Sequence, residues 1–215
     1  EMPLMSETEL SNAINFESRR YIPVPITEVV IDWWAIPEGF GASPAEAEES
    51  ESEKAGEIKM RQKMEVLLVA IHRDVIEKYQ SIIKKAGLNL RAIEIEVFGS
   101  LRSLLARDLA PVLIVDLGAS MTKMAIVDYG IIRISHSIDS GGQDLTSALS
   151  KSLSIDFIRA EELKREIGLS VLPEHKEIVS TMEPILNYVF SEASRVTSDY
   201  LRKRKKTMSR VILTG

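Results

Sequence analysis

Cysteine is absent from the 215 residues, which excludes a disulfide framework and thiol or cysteine-ligated metal chemistry. Histidine occurs only at His72, His136 and His175, too far apart in sequence to suggest metal-ligand spacing. No uninterrupted apolar run approaches the ~18 residues of a membrane-spanning helix, and the opening residues carry no signal-peptide pattern. A net charge of −5 gives no general basic footprint for nucleic acid. What is present is ordinary globular material, 45% hydrophobic and 27% charged, enough for one large domain or two small ones. A soluble intracellular protein that does not bind nucleic acid is the expectation.

Periodicity divides the chain into two halves. In the first, Ser6 to Arg20 has helical spacing with Leu10, Ile14 and Phe16 inward, and Ser6 with Glu9 fits a capping box. Tyr21-Ile-Pro-Val-Pro25 cannot continue that helix. Val29 to Ile36 reads as a strand, which would put Trp33 and Trp34 on opposite faces, one in the core and the other at a contact surface. Ala45 to Glu57 holds six glutamates and one lysine with no large apolar group, so a solvated loop is expected there. Val66 to Ile71 suits a buried strand, Asp74 to Ala86 a helix capped by Gly87, and Arg91 to Val97 a second strand across a helical crossover. Phe98 to Asp108 follows as a short helix. The second half begins with three strands, Val112 to Val115, Thr122 to Val127 and Ile131 to Ser137. Helices follow over Leu145 to Leu153, Phe157 to Ile167 and about Ile178 to Lys206, and Arg210 to Gly215 opens a last strand. The basic run Arg202 to Lys206 is either a solvated helix end, favoured by the helix dipole, or a contact for an acidic membrane surface.

Four pieces carry chemistry. Asp116 ends a strand and is followed by a turn through Gly118, Ala119 and Ser120, with Thr122 beyond. A carboxylate there can hold a hydrated divalent cation, small residues let backbone amides approach an anion, and Thr122 adds a hydroxyl. The same residues also suit a plain hairpin. Gly141 and Gly142 precede a helix and would leave its N-terminus available to an anion, or serve only as a strand-to-helix turn. Glu161 and Lys164, three apart, share a helix face and would contact a ribose or form one more surface ion pair. The closing Val211-Ile-Leu-Thr-Gly215 leads into a turn under an adenine, or is an ordinary strand.

Each signal is weak alone. The ordered set Asp-Leu-Gly-Ala-x-x-Thr, Gly-Gly-x-x-Leu-Thr, Ala-Glu-x-x-Lys and Ile-Leu-Thr-Gly resembles the FtsA-like branch of the actin-like ATPase superfamily. Within it, Leu10-x-x-Ala-Ile14, Tyr21-Ile-Pro-x-Pro25, Ala86-Gly-Leu88 and Val97-Phe98 make the chain similar to the PilM family of type IV pilus assembly proteins. The resemblance implies an α/β, ribonuclease-H-like fold with residues 1–97 as a 1C-type subdomain, 98–110 as a returning helix of the first domain, and 111–215 as most of subdomain 2A. Such proteins also carry an earlier Asp-x-Gly phosphate turn and continue past the adenine turn. No second Asp-x-Gly-x-x-x-Thr pattern occurs here, so an incomplete chain that binds ATP poorly is expected.

By the same resemblance, the cofactors are ATP and magnesium. Asp116 would hold the ion through water, and Gly118, Ala119, Ser120, Thr122, Gly141, Gly142, Glu161, Lys164 and Gly215 would line the nucleotide. ATPase activity would be weak or absent. The implied role is a cytoplasmic scaffold at the inner face of the inner membrane, peripheral to it at most, docking the N-terminal peptide of a PilN-like pilus protein, with self-association left open. An FtsA-like cell-division filament protein, a type II secretion scaffold and a sugar- or acetate-kinase-like enzyme remain alternatives. The last would need an acceptor pocket and a base, for which no motif is found.

Overall fold

The computed structural model describes residues 2–3, 5–36, 63–105 and 109–215. The acidic segment of residues 45–57 lies outside them. Two compact units divide the chain, Glu1–Gly99 and Ser100–Gly215.

The first unit carries helix α1 (Glu7–Glu17), short strand β1 (Met2–Pro3), strands β2 (Val29–Ile36) and β3 (Lys63–His72), and helix α2 (Arg73–Lys85). The capping box forms as the sequence predicts: the Ser6 amide donates to Glu9 Oε2 at 2.9 Å, and the Glu9 amide to Ser6 Oγ at 3.4 Å. Leu10 and Ile14 are buried, but Phe16 is 66% exposed and does not join them, a correction to the expected inward set. α2 stops where expected. Gly87 adopts φ +69 and accepts the left-handed turn that lets the Leu88 amide reach the Ile83 carbonyl at 3.1 Å. The sheet order is β1-β3-β2, antiparallel throughout. Trp34 is 53% exposed and Trp33 half-buried.

A strand over Arg91 to Val97 does not form. β3 is paired by β2 along most of its length and by β1 at its start, and residues 88–95 join neither ladder. Alternation alone cannot make a strand without a partner for its amides. Helix α3 (Glu96–Leu104) instead begins earlier than the sequence suggests.

The second unit is built on a four-stranded sheet of order β6-β5-β4-β7: β4 (Val112–Leu117), β5 (Thr122–Asp128), β6 (Ile131–Ile138) and β7 (Arg210–Thr214). Tyr129 and Gly130, at φ 55 and 71, make the two-residue hairpin between β5 and β6. Helices α4 (Gly142–Leu153), α5 (Phe157–Ile167) and α6 (Lys176–Arg204) fill the crossover to β7, which pairs parallel with β4. The apolar stripe of α6, from Val189 through Val196 to Tyr200, packs on Leu113, Val115, Met124, Ile126 and Ile138. A second cluster, Leu145, Leu149, Ala160, Met182 and Leu186, locks α4, α5 and α6 together. Lys205, left-handed at φ 50, ends α6. The basic run is therefore not one solvated patch: Arg202 pairs with Asp199 at 3.0 Å, and Lys206 turns inward to Asp128 at 2.7 Å. Among the described residues no helix is long and apolar enough to cross a membrane.

Candidate functional site

The C-terminal end of β4 gathers the predicted residues of the second unit. Antiparallel pairing brings Leu117 opposite Thr122, leaving a tight turn closed by the Gly118 amide on the Met121 carbonyl at 3.1 Å. Parallel pairing sets Asp116 opposite Thr214, so Gly215 reaches the same end, where a Cβ would run into the Leu117 carbonyl. Asp116 is partly exposed, and its carboxylate has no hydrogen bond or ion pair among the described residues. The amides of Ala119 and Ser120, both exposed, likewise have no partner among the described residues. A partly exposed carboxylate and two exposed amides thus stand together at this end of the sheet.

Two expected roles change. Thr122 is fully buried and its hydroxyl donates to the Ser140 carbonyl at 2.8 Å, so it braces the turn from behind and is not offered to an anion. The N-terminus of α4 is also not open. The Gly142 amide donates to the Gly118 carbonyl at 2.9 Å, the Gln143 amide to the Ala119 carbonyl at 2.8 Å, and the Asp144 amide to the Gly141 carbonyl at 3.1 Å. Asp144 Oδ2 accepts from the Gly141 amide at 2.9 Å and adds a negative charge there. Of the two glycines, Gly141 serves close backbone approach, since a Cβ there would run into the backbone of Gly118, Ala119 and Met121.

Glu161 and Lys164 are not a simple surface pair. The Lys164 ammonium donates to Glu161 Oε2 at 2.6 Å, to Thr146 Oγ1 at 2.9 Å and to the Gly142 carbonyl at 3.0 Å. Thr146, fully buried, also lies 2.6 Å from Glu161 Oε2. Sequence reasoning did not place Thr146 in the site. The usable signal is a threonine four residues after Gly142, where its hydroxyl can turn back to that carbonyl, here at 3.0 Å.

The Lys164 ammonium, then the Thr146 hydroxyl, then Arg165 hold the Glu161 carboxyl down at about 2, against an ordinary 4.5. Because the folded value lies below the unfolded one, this contribution is complete above about pH 4.5 and is lost as pH falls toward 2. Glu161→Gln should therefore flatten the acid limb of stability in that window. Urea midpoints measured against pH for both proteins check it, and identical acid slopes would remove Glu161 from the titrating groups. The side chain is 28% exposed, so added salt should shrink the difference.

A family model described as type IV pilus assembly protein PilM matches residues 3–215. The chain belongs to the PilM family. A solved PilM-PilN type IV pilus biogenesis complex is 24% identical, with a TM-score of 0.76 over 100% of this chain and 57% of that one. This chain therefore spans under two thirds of the length of that relative. Ethanolamine utilization protein EutJ from Carboxydothermus hydrogenoformans is 24% identical over 62% of this chain and 46% of its own, at TM-score 0.46. MreB5 of Spiroplasma citri bound to ADP is 26% identical over 46% and 32%, at TM-score 0.41. The fold is α/β and actin-like, and the chain is an actin-like protein of type IV pilus assembly.

A bare divalent cation takes about six oxygens, and no group of three or more acidic or histidine side chains occurs among the described residues. One unpaired carboxylate fits instead a cation that keeps its waters and shares phosphate oxygens. Two unengaged amides fit those phosphate oxygens.

Proposed function

We propose that this chain is the nucleotide-responsive part of a PilM-type scaffold that docks a PilN-like partner. Asp116 holds hydrated magnesium through water, and the amides of Ala119 and Ser120 take phosphate oxygens. Gly118, Gly141 and Gly142 keep that turn close-packed while Thr122 supports it. Glu161 and Lys164 present their partly exposed edges to the ribose, and Gly215 borders the adenine. Magnesium bound with ATP would supply neutralisation of phosphate charge at this end of the sheet. The sequence holds one such turn, one side of a phosphate clamp, so these 215 residues alone bind ATP weakly, with weak or absent ATPase activity.

The partner reading follows from the family and from the PilN component of its solved relative. The N-terminal peptide of an inner-membrane pilus protein docks in a groove to which residues 1–97, a 1C-type subdomain, contribute. Residues 98–110 act as a returning helix and 111–215 as subdomain 2A. That partner keeps the scaffold at the cytoplasmic face of the inner membrane, where copies can also associate.

The observation that carries the nucleotide reading is the unpartnered Asp116 carboxylate beside two unpartnered amides. Titration with Mg·ADP followed by amide NMR should shift Ala119 and Ser120 first. Asp116→Ala should weaken that binding about tenfold or more, the scale of one interaction with a charged group. In the same experiment a PilN-like N-terminal peptide should perturb the first unit in both proteins. Mg·ADP shifts located elsewhere, or unchanged by Asp116→Ala, would refute the site. A peptide that perturbs nothing would refute the docking role.

A further inference from the structure

Thr146 lies at the centre of a hydrogen-bonded chain that runs from α5 to the phosphate turn. Its single hydroxyl proton faces Glu161 Oε2 at 2.6 Å, the shorter and charged acceptor, while its oxygen accepts from Lys164 at 2.9 Å. All three Lys164 protons are spent, on Thr146, Glu161 and the Gly142 carbonyl. Gly142 is thus held from both sides: its carbonyl by Lys164, its amide by the Gly118 carbonyl at 2.9 Å. The next amide, Gln143, grips Ala119 at 2.8 Å, and the Gly118 amide closes the turn on Met121. An unbroken run of hydrogen bonds thus links Glu161 to Ala119. Moving α5 relative to α4 must pull on Gly142, and through it on the residues that carry the two unengaged amides.

We propose that Thr146, with Glu161 and Lys164, is a positioning brace that sets the geometry of the Gly118 to Thr122 turn through Gly142. Thr146 touches no ligand; it acts on the turn through Lys164 and the Gly142 carbonyl. The brace also makes the nucleotide's sugar side and phosphate side interdependent. A ribose that draws on Glu161 or Lys164 competes with bonds that hold the turn. This coupling rests on the nucleotide reading above, whereas the brace itself is a property of the ligand-free chain.

The test separates the two. Amide hydrogen exchange is measured by NMR on the ligand-free 215-residue chain for wild type, Thr146→Val and Thr146→Ser. Thr146→Val should speed exchange of the Gly118, Gly142 and Gln143 amides about tenfold, as expected for losing one charge-assisted hydrogen bond. The ladder amides of Ile114 and Ile126 should keep their rates, and Thr146→Ser should restore the turn. Mg·ADP affinity should fall by a similar factor in Thr146→Val alone. Uniform acceleration across the second unit would make Thr146 a core residue and nothing more. Unchanged exchange at the three amides would overturn the brace, even if Mg·ADP binds normally. Local acceleration in a protein whose wild type takes no Mg·ADP would uphold the brace and sink the nucleotide reading. Should Thr146→Val not fold, Glu161→Gln, altered at a side chain that is 28% exposed, gives the same hydrogen-exchange comparison in the ligand-free chain.

Discussion

Gly141→Ala should cost the second unit about 3 kcal/mol or more and abolish Mg·ADP binding, whereas Gly142→Ala, one residue on, should cost less than about 1 kcal/mol. A Cβ at Gly141 would stand 2.5 Å from the Gly118 carbonyl oxygen, 2.7 Å from that of Ala119 and 2.8 Å from the Met121 nitrogen. All three are backbone atoms, so no rotamer change relieves the clash. The backbone at Gly141 is extended, with φ −154, and sets no conformational demand of its own. The effect is therefore purely one of space. Overpacking alone costs about 1–3 kcal/mol, and pushing the turn away also breaks the bonds from Gly142 to Gly118 and from Gln143 to Ala119, each worth about 1 kcal/mol. At Gly142 the added carbon would meet Lys164 Nζ at 3.5 Å and the Gly118 oxygen at 3.7 Å, ordinary contact distances. Chemical denaturation of both variants decides the matter. Equal stability would mean that the turn and α4 are not packed as described.

That contrast marks where the sequence stops being legible. The elements of the second unit could be read because each has local causes: β-branched runs for β4 to β6 and an apolar stripe through Val189 and Val196 for α6. The four motifs could be read as a set whose order resembles the FtsA-like branch, and the first-half residues such as Tyr21-Ile-Pro-x-Pro25 narrowed the reading to the PilM family, which the family model matches. What each residue does was less legible. Thr122 and the Gly141–Gly142 pair looked like ligand contacts because hydroxyls and helix N-termini favour anions. The Thr122 hydroxyl and the Gly142 amide are instead taken by the Ser140 and Gly118 carbonyls, which the tertiary fold supplies from 18 and 24 residues away, and the Gly141 amide by the nearby Asp144 carboxylate. The strand expected over Arg91 to Val97 failed for a related reason, since alternation reports which faces differ and says nothing about whether a neighbour strand is there. The basic run from Arg202 to Lys206 looked like a uniform cationic end, and only the fold reveals that its last member is structural.

Lys206→Met should destabilise the second unit by about 3–5 kcal/mol, the scale of removing one partner from a buried ion pair. Asp128, at the end of β5, is 1% exposed. Its Oδ2 accepts from the Tyr200 hydroxyl at 2.6 Å and from the Lys206 ammonium at 2.7 Å, while Oδ1 has no partner among the described residues. One oxygen already lacks a donor, so losing the ammonium leaves the carboxylate held by Tyr200 alone. Methionine keeps an unbranched apolar stem, so the substitution chiefly removes the charge, together with the contact of the ammonium with the Tyr129 ring, 4.6 Å from its centroid. Tyr200→Phe should cost less, about 1–3 kcal/mol, as the loss of one donor to a charged acceptor. Burial first and the Asp128 hydrogen bond second push the Tyr200 hydroxyl well above its ordinary 10.0. Its contribution is complete below that value and is lost only as pH rises through the higher folded one. Asp128→Asn removes the charge with little change of shape, and on that background Lys206→Met should cost under about 1 kcal/mol, because no unpaired carboxylate remains. The two tryptophans lie in the first unit, so their fluorescence should report little of the change. Far-UV circular dichroism, to which the 29 residues of α6 contribute heavily, should report most of it. A loss below about 1 kcal/mol for Lys206→Met in the Asp128 background would mean that water reaches the carboxylate and replaces the ammonium.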